Sequence, residues 1–311
     1  MLSATLQRPL LAVLVTALLA TSVWASEAQD LQEATYQALD RVREDKRTQL
    51  AAYMERIRLR AGTVREDPEM HNYFKIKQRY WQLQKEAPAP PEVQQTIDVL
   101  KDSMREHVLS NYQAFYDILF VDRSGFVLSS IREQGEYHQN LLEGKLATTA
   151  LSQHLRGEPK KSFVDYEFYW VSDEPSAFFV EPMMDGDQLL GWFVLQCAFN
   201  KINTMFMRGE ELGQTGETFL VNRQHQMLTG SRLRPGDSTL LRTLAQENIA
   251  SKFAARQGHK RVTDYRGYTA LTSFAVCSVL GSEWLLVAKI DEDEVITRYF
   301  REHAQALQPA L

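Results

Sequence analysis

The sequence has little with which to crosslink a chain, coordinate a metal or cut a substrate. Two cysteines in 311 residues, Cys197 and Cys277, exclude a disulfide framework. Each sits in an apolar strand-like run, where it reads as a small buried hydrophobe. The seven histidines, His71, His107, His138, His154, His225, His259 and His303, fall into no His-Glu-x-x-His pattern, and the cysteines lie too far apart for metal-ligand spacing. No Gly-x-Ser-x-Gly nucleophile elbow occurs. Gly213-Gln214-Thr215-Gly216 lacks the lysine and the full spacing of a phosphate-binding loop and reads as a turn feeding a strand. The expectation is therefore a protein without catalysis, metal or cofactor. A surplus of positive charge is also missing: 35 Lys and Arg against 40 Asp and Glu give a formal net charge of −5, which disfavours nucleic acid as a partner.

Long apolar runs are missing too, apart from one. Arg8 precedes the run Leu10 to Trp24, and Val23-Trp24-Ala25 resembles a small-x-small cleavage site, so residues 1–25 read as a secretory signal peptide and the mature chain as periplasmic. The alternative is an uncleaved segment that anchors the protein to the inner membrane. That run is shorter than the roughly 20 residues a spanning helix requires, and Thr16, Thr21 and Ser22 interrupt it.

Between Glu27 and Glu66 there is no proline, and the one glycine is Gly62. Apolar residues recur at Leu31, Ala34, Ala38 and Val42 and, after a polar gap at Asp45 and Lys46, at Leu50, Tyr53, Ile57, Ala61 and Val64. This spacing predicts a long amphipathic helix, too long for one compact domain to cover, so a homodimer through its excess apolar stripe is expected. Asp67-Pro68 ends it, an aromatic-rich helix follows, Ala87-Pro88-Ala89-Pro90-Pro91 makes a stiff loop, and a third helix starts at Glu92. The long helix and helical cap thus occupy residues 26–111.

Beyond the cap, one pattern occurs twice. Ile-Leu-Phe-Val-Asp-Arg-Ser-Gly-Phe-Val-Leu-Ser-Ser-Ile-Arg, residues 118–132, aligns at a constant offset of one hundred with residues 218–232, matching Val121 to Val221, Asp122 to Asn222, Arg123 to Arg223, Leu128 to Leu228 and Arg132 to Arg232. Each hairpin leads to a helix, Leu142 to Leu155 (broken by Gly157-Glu158-Pro159) and Ser238 to Phe253. Three strand-like runs come after each helix: Phe163–Trp170, Ser176–Glu181 and Leu189–Phe199 in the first copy, and Lys260–Tyr265, Thr269–Cys277 and Glu283–Ile290 in the second. Local matches continue, Asp165-Tyr166 against Asp264-Tyr265 and Trp192 against Trp284. The prediction is an α+β protein with two tandem modules, residues 112–203 and 204–291, each an antiparallel sheet of about five strands with flanking helices, and a helical tail over 292–311.

With the strand Phe115 to Asp122, Phe163-Val164-Asp165-Tyr166, and Ile202-Asn203 leading into Leu-Gly-Gln-Thr-Gly-Glu-Thr-Phe-Leu-Val (residues 212–221), the chain resembles the double Cache sensor domains of chemotaxis receptors, histidine kinases and diguanylate cyclases. The resemblance implies two PAS-like modules stacked on the long helix, with a small-molecule pocket in the first. In a receptor of that family the helix after the last strand continues into a membrane span. Here Glu292 to Leu311 reads as a polar tail, so the expectation is a sensor without its own output, signalling through a membrane-bound partner. An adaptor with a vestigial pocket is the alternative.

Strict alternation along Phe163 to Trp170 places Val164, Tyr166, Phe168 and Trp170 on one face and Phe163, Asp165, Glu167 and Tyr169 on the other. Over this sheet the resemblance places the ligand. Asp165 would accept from an ammonium, Tyr169 would supply a ring and a hydroxyl, and Gln196 a neutral donor and acceptor. Arg132, Tyr137 and His138 lie where a loop can fold over the sheet, with Arg132 a clamp for a carboxylate, although an exposed loop or a local salt bridge is the other reading. The expected ligand is a small amino acid, carboxylate or amine. Amino-acid-binding members of the family carry an Arg-x-Trp pair in the first module, whereas Arg79-Tyr80-Trp81 lies upstream of it.

Overall fold

The computed structural model describes residues 7–156, 162–234, 239, 240 and 242–306, with side-chain surroundings given from residue 26 onward except at 198, 210 and 304–306. Helix α1 runs Gln7–Gly62; the segment to Ala25 that reads as a signal peptide lies outside the residues whose side chains are described. Among the described residues no helix is long and apolar enough to cross a membrane. The buried stripe of α1 is Tyr36, Leu39, Lys46, Leu50, Met54, Ile57 and Ala61, continued by Val64 in the 3-10 turn that follows, while Ala34 is exposed. The expected polar gap at Lys46 is therefore covered: its ammonium donates to the carbonyl of Met205 at 2.9 Å, which makes the burial tolerable.

Asp67 then reverses the chain. Its carboxylate accepts from the amides of Glu69 and Met70, capping α2 (Pro68–Gln84), and from His107 and Tyr112, tying that helix to α3 (Pro91–Asn111).

The first sheet comprises β1 (Asp117–Asp122), β2 (Val127–Ser130), β3 (Phe163–Tyr169), β4 (Glu174–Asp185) and β5 (Gln188–Ala198) in the order β2-β1-β5-β4-β3, antiparallel throughout, with the short helix α4 (Ala150–Leu155) between β2 and β3. After α5 (Asn200–Met207) comes the second sheet, β6 (Glu217–Val221), β7 (Gln257–Thr263), β8 (Thr269–Val279) and β9 (Ser282–Asp291), in the order β6-β9-β8-β7. It has four strands where about five were expected. The hairpin after β6 survives only as an isolated bridge, Val221 to Met227. There the Thr229 hydroxyl takes the amide of Leu220 at 3.1 Å, a bond that a strand backbone would otherwise make.

Helix α6 is Gln246–Ala255, shorter than the Ser238 start expected. Its approach is held extended instead, with Met227 N bonded to Arg242 O and Leu244 N to His225 O. The break expected at 157–159 lies outside the described residues. Helix α7 (Glu292–Ala306) closes the described chain.

Each sheet has two covered faces. One face of both sheets joins a single core with α1 and α2, from Leu50 and Phe74 through Phe120 and Phe193 to Leu220, Trp284 and Leu286. The opposite face of the first sheet packs under α4 (Leu119, Val164, Tyr169, Phe178, Val194), and that of the second under α6 (Phe219, Ile249, Phe274, Val287). The hundred-residue offset holds in space, since Leu119 and Phe219 lie on these outer faces while Phe120 and Leu220 lie in the shared core. The match of Trp192 to Trp284 does not. Val121 pairs with Trp192 but Val221 with Leu285, so Trp284 is one residue out of step and points to the other face.

Candidate functional site

The alternation expected along β3 fails at one point. Val164 pairs with Phe178 and Glu167 with Ser176, so three steps on β3 oppose two on β4, and the chain bulges at Asp165 and Tyr166. A single inserted residue exchanges the faces of the residues after it. Val164 and Tyr169 therefore share the outer face, whereas Tyr166 turns into the shared core.

Asp165 and Tyr169 are thus not partners, contrary to the sequence expectation. Asp165 reaches the second module, where both its oxygens accept from the Trp284 indole, at 3.0 and 3.1 Å, and the Tyr166 ring packs against Trp284. It is a joint between modules, and burial pushes its carboxyl upward despite that hydrogen bond.

Tyr169 and Gln196 do come together, and two acids that sequence reasoning did not single out join them. Asp117, at the start of β1, lies directly opposite Gln196 on β5, and Gln196 opposite Phe178 on β4. The Tyr169 ring packs edge-on against Phe178. Its hydroxyl is buried without a hydrogen-bond partner, and burial together with the Glu136, Glu167 and Asp117 carboxylates drives its pKa far above that of a free phenol. Glu136, fully buried in the loop after β2, has no partner for either oxygen. Burial, with Asp117 adding to it, raises its carboxyl to about 7.

Asp117 accepts from Ser130 Oγ at 2.7 Å and from the amides of Ile118, Ile131 and Arg132, and burial still raises its pKa. Gln196 donates to Ser172 and Ser176 and leaves the other end of its amide unpartnered. Glu167, by contrast, has a structural task, since both its oxygens accept from the Ala150 amide at the start of α4. Among the described residues no basic side chain pairs with Asp117 or Glu136. Buried acids normally occur paired, and among the described residues this cluster holds no cation of its own.

A cleft of about 520 Å³ adjoins it, lined among others by Tyr112, Tyr116, Asp117, Arg132 and Gln134. Arg132 lies over the Tyr116 ring at 4.0 Å and donates from Nε to the Tyr116 carbonyl, so it borders the cleft on the exposed side. Tyr137 and His138 lie elsewhere. Their rings stack at 3.8 Å, and His138 packs on Trp81 of α2 and on Phe126, a packing that lowers its pKa chiefly by burial. They fasten the helical cap to the first module, as does the Trp81 of the upstream Arg-x-Trp.

The second module repeats the cluster and completes it. Glu217 occupies the place of Asp117, and the residue opposite it on β9, where the first module has Gln196, is Lys289. The Lys289 ammonium, 1% exposed, lies 3.2 Å from Glu217 and 2.6 Å from Asp264, and Tyr265 and Ser231 hydroxyls also donate to Glu217. Arg266 bridges Asp264 and Asp291. Burial would raise the Asp264 pKa, but Lys289 and Arg266 prevail and hold it at about 2.

The glycine-rich turn at the entrance to this module also binds an anion, and that anion is internal. Glu294 of α7 accepts from the amides of Gln214 and Thr215, at 2.9 and 2.7 Å, and from the Thr215 hydroxyl, bonds that outweigh its burial and pull its pKa to about 2. Gly213 has φ +84°, and a Cβ there would collide with Arg298 and Glu294, so glycine is required. Arg232 braces the same turn through the Gly213 and Gln214 carbonyls. Among the described residues no group of three or more His, Cys, Asp or Glu is placed to hold a metal ion.

Two modules on one long helix, the outer face of each roofed by a helix, is an arrangement found in solved structures. The extracellular domain of a putative histidine kinase, vpHK1S-Z8, superposes with a TM-score of 0.54 at 12% identity over 91% of this chain and 99% of that one. The fold is the double Cache fold. The ligand-binding domain of the Pseudomonas fluorescens chemoreceptor CtaA, in complex with L-isoleucine, matches this chain with a TM-score of 0.51 at 11% identity, over 87% of this chain and 96% of that one. An extracellular ligand binding receptor from Desulfohalobium retbaense gives 0.52 at 12% identity over 80% of this chain but 39% of that one, so this chain spans well under two thirds of that neighbour. No protein-family model and no curated protein sequence matches the chain.

Proposed function

We propose that the protein is an extracytoplasmic sensor module whose first module binds a small organic molecule through an ammonium group and passes its state to a membrane-bound partner. The observation that carries this reading is the exchange at one register position. Where the second module sets the ammonium of Lys289 against Glu217, the first sets the neutral Gln196 against Asp117, with Glu136 and the Tyr169 hydroxyl unpartnered beside it. A ligand ammonium supplies the missing charge, and burial makes that pairing stronger than it would be in water. The apolar outer face around Phe178 and Val194 suits a short side chain.

The L-isoleucine complex of the CtaA domain supports α-amino acids as the first class to try. The leader-like segment Leu10 to Trp24 supports export.

The test is a thermal-shift screen of amino acids, amines, carboxylates and nucleobases, repeated on Gln196→Lys. A ligand at a hundred times its Kd stabilises by about 2.7 kcal/mol. Amino acids or amines are expected to stabilise the wild type, while Gln196→Lys, which installs the second module's ammonium, is expected to be insensitive to them. Stabilisation by no class, or by carboxylates alone, overturns the reading.

A further inference from the structure

The second module has a cavity of its own that the Lys289 network does not fill. About 90 Å³ lies between α6 and the outer face of the sheet, lined on the apolar side by Phe219, Ile249 and Val287 and on the polar side by Asn248, Lys252 and Thr263, with Asp264, Tyr265 and Lys289 of the network forming part of its wall. Lys252 is 4% exposed. Among the described residues it has no carboxylate and no hydrogen-bond acceptor; its ammonium lies 5.9 Å over the Phe274 ring, and the charge nearest to it in effect is another cation, Lys260.

Buried ammonium groups are ordinarily paired, because taking an isolated charge out of water costs several kcal/mol. The one carboxylate on the cavity wall, Asp264, does not serve, because Lys289 and Arg266 engage it. Burial, with Lys260 adding to it, lowers the Lys252 pKa to about 8, so at neutral pH the group remains mostly charged and lacks a counter-ion. A cavity of this size holds several waters, at about 10–15 Å³ each, or a ligand of a few heavy atoms.

We propose that this cavity is a second binding site, for a small monoanion with a short apolar group, a short-chain carboxylate, whose charge meets the Lys252 ammonium while its alkyl end lies against Ile249 and Val287. The Asn248 amide is the neighbouring donor. The site is separate in space and opposite in sign from the ammonium site of the first module, and it stands whether or not that reading does.

Full-length protein is titrated with sodium propionate against sodium chloride at matched ionic strength, following methyl and amide resonances of the second module by NMR. Saturable shifts are expected around Ile249, Val262 and Val287, with chloride producing none. Lys252→Met replaces the ammonium by a thioether of similar length and Lys252→Gln keeps a polar end. Either is expected to weaken propionate roughly ten- to a hundredfold, the range for losing a charged hydrogen bond. Methylammonium chloride at the same concentration is expected to leave these resonances in place, and Gln196→Lys to leave propionate binding intact. Propionate shifts of equal midpoint in the wild type and in whichever Lys252 variant folds, or no saturation at a hundredfold excess over protein in the wild type, overturn the proposal. Failure of amines in the first module does not bear on it.

Discussion

In the first module the acid that opens the leading strand, Asp117, faces the amide of Gln196; in the second, Glu217 faces the ammonium of Lys289. The backbone geometry is the same, down to a serine hydroxyl that donates to each acid, Ser130 or Ser231. The difference is where the counter-charge comes from. One module has closed its polar cluster with a covalently attached cation; the other leaves its acids without one. On the proposed reading, a duplicated fold separates into a scaffold and a receptor through a change of side-chain charge at one position.

Removing the internal cation should do the greatest damage. Lys289→Met leaves Glu217 buried and uncompensated, at an expected cost of about 3–5 kcal/mol in urea unfolding. Adding Glu217→Gln should recover most of that loss, since an amide needs no cation. A single-variant loss below about 1 kcal/mol would mean that the two modules do not differ as described.

The pH dependence comes next, and it has opposite signs in the two modules. Glu136 titrates near 4.5 when unfolded and about 7 when folded. As pH rises from 4.5 to 7 the unfolded chain releases this proton first, so the group withdraws about 3 kcal/mol of stability. Asp264 titrates at 3.8 unfolded and about 2 folded, so its contribution of about 2 kcal/mol is present above pH 3.8 and is lost as pH falls toward 2. Denaturation from pH 3 to 8 should show Glu136→Gln removing the loss on the alkaline side alone. A ligand ammonium beside Glu136 should lower its pKa, so affinity should rise from pH 5 to 7.

Asp165→Ala should have the smallest effect. Leaving the Trp284 indole without its acceptor should cost about 1–3 kcal/mol while ligand affinity in the first module stays within twofold. A collapse of affinity with unchanged stability would return Asp165 to the binding site and undo the assignment of the joint.

The architecture was legible because two signals are long. The apolar period over residues 31–64 and the hundred-residue repeat each rest on many positions, and both hold in space. The candidate site was legible only in part. Tyr169 and Gln196 are in it because an aromatic with a hydroxyl and a polar residue inside an apolar strand stand out against period-two alternation. Asp165 was misplaced because a bulge inserts one residue without altering composition, and the sequence of β3 does not mark it. Trp192 and Trp284 were aligned by chemical identity, which outweighed the true register by one residue.

Glu136 left no sequence signal at all. It sits in an irregular loop where neither helix nor strand period applies, and its burial is a property of the folded loop. Tyr137 and His138, one and two residues on, look like better ligands and are packing instead.

The bond from Glu294 to the 214–215 turn has a mechanical consequence. It pins the first turn of α7 to the stretch that leads directly into β6, so α7 cannot slide or rotate there independently of the sheet. The remainder of that helix, residues 295–306, is a lever with its fulcrum at the turn and reaches about 18 Å. A tilt of the second sheet by about 5° therefore swings the far end by about 2 Å. A displacement too small to open the sheet becomes, at the tip of α7, as large as the helix shifts on which switching interfaces run.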